Sequence, residues 1–116
     1  MVDNAVIETS RRYLQQVEKA GIPVRFGVLF GSHVTGNIHQ WSDIDVLVVS
    51  SLYDDHRNYE TVGKLWRIAH DTDNRIEPIA CGARQWEEDH YTPIVEIARA
   101  EGIIIKPDAL EGAIQP

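Results

Sequence analysis

The sequence predicts a small domain of the α/β (α+β) class, in which a β-sheet packs against amphipathic helices. Two apolar runs that are rich in β-branched residues, 24–30 and 43–49, have the composition of buried strands. Apolar residues recur with the 3.6-residue period of a helix over 4–20 and again over 55–72. Strands and helices therefore alternate along the chain, as they do in domains built around one sheet.

Length and composition restrict the class of protein. A chain of 116 residues with 43% hydrophobic content can bury one core, so we predict one domain over 1–107 and a loose tail over 108–116. The sequence has no run of 18 apolar residues and no basic-plus-apolar leader, which predicts a cytoplasmic protein. The single cysteine, Cys81, excludes an internal disulfide. The net charge of −7 argues against non-specific binding to DNA or RNA.

The helices have recognisable ends. The first, over 4–20, can be capped by Asp3 or Asn4 and stops at Gly21. The second carries an apolar stripe made of Tyr59, Val62, Leu65, Trp66 and Ala69. A third helix runs from Pro93, after a capping Thr92, to Glu101.

Two further strands are expected. The run 75–80 follows the second helix, so it can pair with 43–49 through a crossover, although periodicity does not fix the strand direction. The run 103–105 is predicted to be an edge strand, because Lys106 and Pro107 limit its pairing. Between these strands, 82–92 is predicted to be a short polar segment up to Thr92.

Two carboxylates stand at the start of a buried strand. Side chains alternate along a strand, so Asp43 and Asp45 point the same way with Cα atoms about 6.6 Å apart. Two like charges at the edge of an apolar sheet raise each other's pKa, and a hard cation such as Mg²⁺ removes that conflict. Alone, an Asp-x-Asp pattern is more often a strand start or a cap.

A glycine turn precedes the carboxylates. Gly31 and Ser32 follow the strand 24–30, where glycine lets the backbone approach a phosphate and Ser32 can cap a short helix or bond the phosphate. The ten residues between Ser32 and Asp43 leave room for a helical turn closed by Gly36 and Asn37. Gly-Ser alone is an ordinary turn, but in combination with the two carboxylates it indicates nucleotide chemistry.

With these residues, the sequence resembles the DNA polymerase beta-like nucleotidyltransferase superfamily, and within it the minimal (MNT) branch. The resemblance implies a small mixed β-sheet with helices packed on one side, the palm fold of that superfamily. It also implies a third carboxylate on the adjacent strand, which is Glu77 here, and two Mg²⁺ ions held by Asp43, Asp45 and Glu77. Gly31 and Ser32 are the implied nucleotide-binding residues, with ATP as the substrate, and the position of His33 beside this turn makes it a further candidate for contact with a phosphate.

The resemblance further implies a reaction and a partner. The expected reaction moves AMP from ATP onto a hydroxyl group, and many members of the minimal branch are antitoxins of a HEPN-type ribonuclease toxin, some attaching AMP to a tyrosine. Two departures keep an alternative open. The turn His33-Val34-Thr35-Gly36 carries no permanent cation, and Glu77 stands where Asp is commoner. The alternative is a weak or inactive module that binds nucleotide or neutralises a partner by contact.

Histidine and cysteine side chains offer no second metal site in the sequence. The five histidines have no close ligand spacing, so His39, His56, His70 and His90 are predicted on the surface, whereas His33 lies beside the Gly-Ser turn. Cys81 is predicted to be a small core residue without a catalytic role.

Overall fold

The computed structural model of the protein describes residues 2–38 and 42–108. Over these ranges the strands are β1 (Phe26–Phe30), β2 (Ile44–Ser50), β3 (Ile76–Gly82) and β4 (Ile103–Ile105). The helices are α1 (Asn4–Lys19), α2 (Ser32–Thr35), α3 (Leu52–Asp55), α4 (Tyr59–Thr72), α5 (Ala83–Glu88) and α6 (Pro93–Glu101). The predicted tail beyond Asp108, and the predicted surface residue His39, lie outside the described residues.

The strands form one mixed sheet in the order β3-β2-β1-β4. Strand β1 runs antiparallel to both β2 and β4, whereas β2 and β3 are parallel and are joined through α4. The structure thus supplies the strand directions that periodicity left open, and it confirms the mixed sheet and the edge position of Ile103–Ile105. None of the helices in these ranges combines the length and apolarity that crossing a bilayer requires.

The long helices α1 and α4 cover one side of the sheet, which we call the first face. Tyr13 of α1 donates a hydrogen bond from its hydroxyl to the carbonyl oxygen of Leu65 in α4, at 2.9 Å, and so joins the two helices. Asp3 caps α1 by accepting a hydrogen bond from the Ala5 amide at 2.8 Å. The core under these helices contains Leu14, Val17, Leu29, Ile44, Val46, Val48, Leu65 and Ile76. Most of the apolar burial is therefore on this face.

The short helices α5 and α6 cover part of the opposite side, which we call the second face. A smaller core lies there, made of Val28, Phe30, Leu47, Val49, Cys81, Ala83, Val95 and Ala98. Trp86 of α5 meets Phe26 edge-on, with ring centroids 5.6 Å apart, and the Arg99 guanidinium lies 5.1 Å from the centre of the Trp86 ring. The long helices α1 and α4 pack on one side of the sheet, as predicted. The short helices α5 and α6 cover part of the other side. Cys81 is a buried core residue, as expected.

Two predicted segments differ from the observed ones. The helix expected over 55–72 is interrupted, because Asn58 starts α4 with a capping box: its side chain accepts from the Thr61 amide while Thr61 Oγ1 accepts from the Asn58 amide. Tyr59 and Trp66 of the predicted apolar stripe are 95% and 48% exposed, so the buried stripe of α4 is narrower than expected. The predicted polar segment after Gly82 contains α5, whose start is capped by the Gln85 side chain.

Candidate active site

The sheet brings two of the predicted carboxylates side by side. Asp45 on β2 and Glu77 on β3 are Cα partners in the parallel register. Neighbouring strands lie about 4.8 Å apart, and partners in register project from the same face of a sheet. By strand alternation Asp45 shares the second face with Leu47, which belongs to the core under α5 and α6. The carboxylates therefore lie at the end of the second face where β2 and β3 begin.

Asp43, the remaining predicted carboxylate, lies near this pair in the segment before β2. Asp43 is exposed and directly precedes β2. A hydrogen bond with Asp43 is the largest cause that raises the pKa of Glu77, to about 7, followed by burial and by the negative charges of Asp43 and Asp45. Burial and the charge of Asp43 also raise the pKa of Asp45, and the nearby His33 partly offsets them. The three carboxyl groups are thus close enough to repel one another.

The chemistry of this group fits a hard divalent cation. A hydrogen bond between two carboxyl groups requires a proton on one of them, and Mg²⁺ can take the place of that proton because it prefers carboxylate oxygens. Among residues 2–38 and 42–108, no three His, Cys, Asp or Glu side chains are already grouped as a metal cage.

Gly31 connects the predicted turn to the carboxylates. Its backbone has φ 84° and ψ −150°, a conformation that residues with a side chain rarely adopt. A Cβ atom on Gly31 would collide with the Asp45 Oδ2 atom, so the backbone and the carboxylate pack directly against each other. The two halves of the sequence motif therefore meet in space.

The predicted helical turn is α2. The Gly31 carbonyl oxygen accepts hydrogen bonds from the amides of Val34 and Thr35, both at 3.0 Å, and Gly36 closes the turn with φ 90°. Ser32 is the first residue of α2, and Gly31 occupies the N-cap position. Ser32 therefore does not stand at the capping position that the sequence left open for it.

His33 points inward from α2. Its side chain is 5% exposed, and Nε2 lies 3.4 Å from the carbonyl oxygen of Ser42. In the sequence, only the position of Ser42 directly before Asp43 could have suggested a role for it. His56, His70 and His90 are exposed, which confirms their prediction as surface residues.

The carboxylates differ in exposure: Asp43 is exposed, whereas Asp45 and Glu77 are partly buried. Two cavities of about 470 and 510 Å³ are found elsewhere, one between α1 and α4 and one beside α5 and the loop before α6. Neither is lined by Asp43, Asp45 or Glu77.

A mixed four-stranded sheet with paired carboxylates beside a glycine turn defines a class of protein, the polymerase beta-like nucleotidyltransferases. Residues 10–99 match the family model described as "Nucleotidyltransferase domain". The chain therefore belongs to the nucleotidyltransferase domain family, as its resemblance to that superfamily predicted. A search of curated proteins found no significant match.

Solved structures agree with this fold. One is a chain of the "Crystal structure of the toxin-antitoxin with AMP-PNP", with TM-score 0.57 and 20% identity, over 81% of this chain and 70% of that chain. Another is a Sulfolobus solfataricus protein assigned as a nucleotidyltransferase, with TM-score 0.60 and 13% identity, over 86% of this chain and 78% of that chain. Both likenesses support the nucleotidyltransferase fold.

Proposed function

We propose that the protein is a Mg²⁺-dependent nucleotidyltransferase that moves a nucleoside monophosphate, most simply AMP from ATP, onto a hydroxyl group. The proposal is carried by the contact between the Gly31 backbone and the Asp45 carboxylate, with Glu77 beside Asp45 in the neighbouring strand. Backbone amides at a turn suit phosphates, and grouped carboxylates suit the cations that accompany them. The similar toxin–antitoxin structure was solved with AMP-PNP, an ATP analogue, which supports ATP as the donor.

Each residue has a role in this reaction. Asp43, Asp45 and Glu77 would hold Mg²⁺, which when bound stabilises charge on the attacking and leaving oxygens. Gly31 and Ser32 would position the β- and γ-phosphates. The acceptor oxygen forms a bond to the α-phosphorus, the bond from the α-phosphorus to the bridging oxygen breaks, pyrophosphate leaves, and the hydroxyl proton passes to a carboxylate or water. The chain itself contributes position and electrostatics.

We further propose that the acceptor is a tyrosine of a HEPN-type toxin and that the protein acts as an antitoxin in the cytoplasm. The likeness to a toxin–antitoxin structure supports a toxin partner. The exposure of Asp43 supports an acceptor that is itself a protein, because a docked partner can cover a carboxylate that a small domain leaves exposed. The net charge of −7 suits a partner with a basic surface.

Labelled ATP tests the transfer directly. The chain is incubated with Mg²⁺ and with ATP labelled on the α-phosphate or, separately, on the γ-phosphate, with and without the product of a neighbouring toxin-like gene. Nucleotidyl transfer leaves the α-label on the acceptor and releases the γ-label in pyrophosphate. Asp43→Asn and Asp45→Asn should abolish labelling. Asp71→Asn is the matched control, because its side chain is 85% exposed on α4.

A contact-only module is the second candidate, and the composition of α2 favours it, since Ser32–Thr35 contains no Lys or Arg to neutralise a triphosphate. Under this candidate, Asp43→Asn and Asp45→Asn would still neutralise the toxin in full, and no label would reach the partner. Transfer by the wild type, together with a loss of neutralisation in these two variants, would exclude it.

A further inference from the structure

His33 has an environment that is rare for a histidine on a surface turn. It belongs to the four-residue helix α2, yet its side chain is 5% exposed. Nε2 lies 3.4 Å from the Ser42 carbonyl oxygen, and Nδ1 is buried without a hydrogen-bond partner among the described residues. Buried polar atoms are nearly always paired, so the orientation of this ring requires an explanation.

The chemistry of the contact restricts the proton position. A carbonyl oxygen only accepts hydrogen bonds, so a neutral His33 ring must carry its proton on Nε2 to bond Ser42. Nδ1 is then an acceptor with a bare lone pair. Phosphate oxygens at neutral pH are also mainly acceptors, so Nδ1 of this tautomer has no proton to donate to them. The bond to Ser42 and a phosphate contact through Nδ1 therefore exclude each other for the neutral ring.

The contact joins the two halves of the site. Ser42 directly precedes Asp43, and His33 follows the Gly31–Ser32 turn by one residue. The backbone of Gly31 already packs against the Asp45 carboxylate. A hydrogen bond from His33 to Ser42 would therefore hold the other end of the carboxylate segment against the same turn.

We propose that His33 is a positioning residue that donates from Nε2 to the Ser42 carbonyl oxygen and so fixes Asp43 and Asp45 opposite the Gly31 turn. This role differs from the phosphate contact expected for His33, and it rests on the proposed function of the site. The influence of His33 on the pKa of Asp45 agrees with a ring close to the carboxylates. Residues that orient metal ligands without touching the metal typically change its affinity about 10- to 100-fold.

Nitrogen NMR of the histidine rings tests the contact in the full chain. We expect the Nε2 atom of His33 in the free protein to carry a proton that is hydrogen-bonded to the Ser42 carbonyl oxygen. A ring with a bare Nε2 and its proton on Nδ1 would overturn the proposal. Loss of the Nε2 hydrogen bond on adding AMP-PNP and Mg²⁺ would also overturn it, because His33 would then release Ser42 when the site is occupied.

Three variants test the consequence for the carboxylates, with Mn²⁺ binding followed by electron paramagnetic resonance. His33→Leu fills similar space without a donor and should weaken Mn²⁺ binding about tenfold. His33→Gln can place an amide N–H near the Nε2 position and should restore binding close to that of the wild type. Asn37→Ala, in the same loop and exposed, is the matched control and should bind as the wild type does.

Other outcomes separate the two proposals. If His33→Leu, shown to be folded by circular dichroism, binds Mn²⁺ as tightly as the wild type, His33 does not position the carboxylates. If the wild type binds no Mn²⁺, the proposed metal-dependent function fails instead. In that case two measurements that need no metal decide the inference: the protonation of Nε2 in His33 and the hydrogen exchange of the Ile44 amide. The Ile44 amide donates a hydrogen bond to the Arg75 carbonyl oxygen at 2.8 Å. That amide should exchange faster in His33→Leu than in His33→Gln, and equal exchange would overturn the inference.

Discussion

The two faces of the sheet differ in the side chains that the same strands place on them. On the first face, Leu29, Val46 and Val48 are buried beneath α1 and α4. On the second face, Leu47 and Val49 continue a core beneath α5 and α6, but Asp45 occupies the next position toward the start of β2. Alternation along a strand thus lets one face supply most of the hydrophobic burial while the other carries repelling charges. Stability and the proposed chemistry should therefore respond to different substitutions.

The largest change in stability is expected from a truncation on the first face. Leu29 is fully buried, so Leu29→Ala should lower the free energy of unfolding by about 2–5 kcal/mol. Urea unfolding measures this change, and the folded fraction should still bind Mn²⁺. Ile104→Ala is the matched control, since Ile104 is 54% exposed on β4 and should change stability by no more than about 0.5 kcal/mol. Loss of Mn²⁺ binding by folded Leu29→Ala would contradict the separation of the faces.

The opposite pattern is expected for the carboxylates. Asp45→Asn removes a charge that burial and Asp43 disfavour, so the Tm should be unchanged or higher. The same variant should lower nucleotidyl transfer by about a hundredfold or more, because it removes a proposed metal ligand. Calorimetry and the labelled-ATP assay measure the two effects. A large fall in Tm would indicate that Asp45 stabilises the fold and would break the comparison.

Two glycines, one for each face, give a sharper comparison. A Cβ on Gly27 would meet Leu14 of the first-face core, with Cδ1 at 2.7 Å, so Gly27→Ala should cost about 1–3 kcal/mol of stability and leave Mn²⁺ binding unchanged. Gly31→Ala should cost about 1–2 kcal/mol for its positive φ and should also weaken Mn²⁺ binding, because the new Cβ displaces Asp45. Equal Mn²⁺ affinities in the two variants, measured by titration, would refute this distinction.

The smallest change in stability is expected for Asp89, which lies between α5 and α6 on the second face. Hydrogen bonds from Thr92, Gln85 and Tyr91 hold the pKa of the Asp89 carboxyl well below its usual value of 3.8. A carboxyl with a lowered pKa in the folded protein stabilises it above pH 3.8, and this contribution is lost as the pH falls through the folded value. Asp89→Asn should therefore lower the Tm at pH 7 and reduce its acid dependence. Equal Tm values for the two proteins at pH 7, or a Tm difference that does not shrink as the pH falls below 3.8, would contradict this expectation.

Local patterns explain why much of the fold could be predicted. The strand over 43–49 is β-branched and apolar, and the helix from Pro93 has both a capping residue and a terminating glycine. These signals act within a few residues, so they survive in the folded chain. The direction of β3 depends on how α4 crosses the sheet, which a pattern within one segment does not encode. The helix α5 was missed because its six residues are mostly polar and its cap is a side chain, Gln85, inside the helix itself.

The site residues also differ in how far the sequence could predict them. Gly31, Ser32, Asp43 and Asp45 were found from spacing, because they lie within one short stretch of chain. The proximity of Glu77 was implied only through family resemblance, since α4 separates it from Asp45 along the chain. The inward orientation of His33 and its contact with Ser42 are three-dimensional properties, and nothing in the residues around His33 distinguishes a buried ring from an exposed one.

The pairing of Phe30 with Asp45 across β1 and β2 also bears on misfolding. If β2 slipped by one residue along β1, every side chain of β2 would exchange faces, and Asp45 would enter the apolar interior beneath α1 and α4. An uncompensated carboxylate in that interior is energetically prohibitive. The residue proposed to bind metal would thus also discriminate against an off-register hairpin during assembly of the chain.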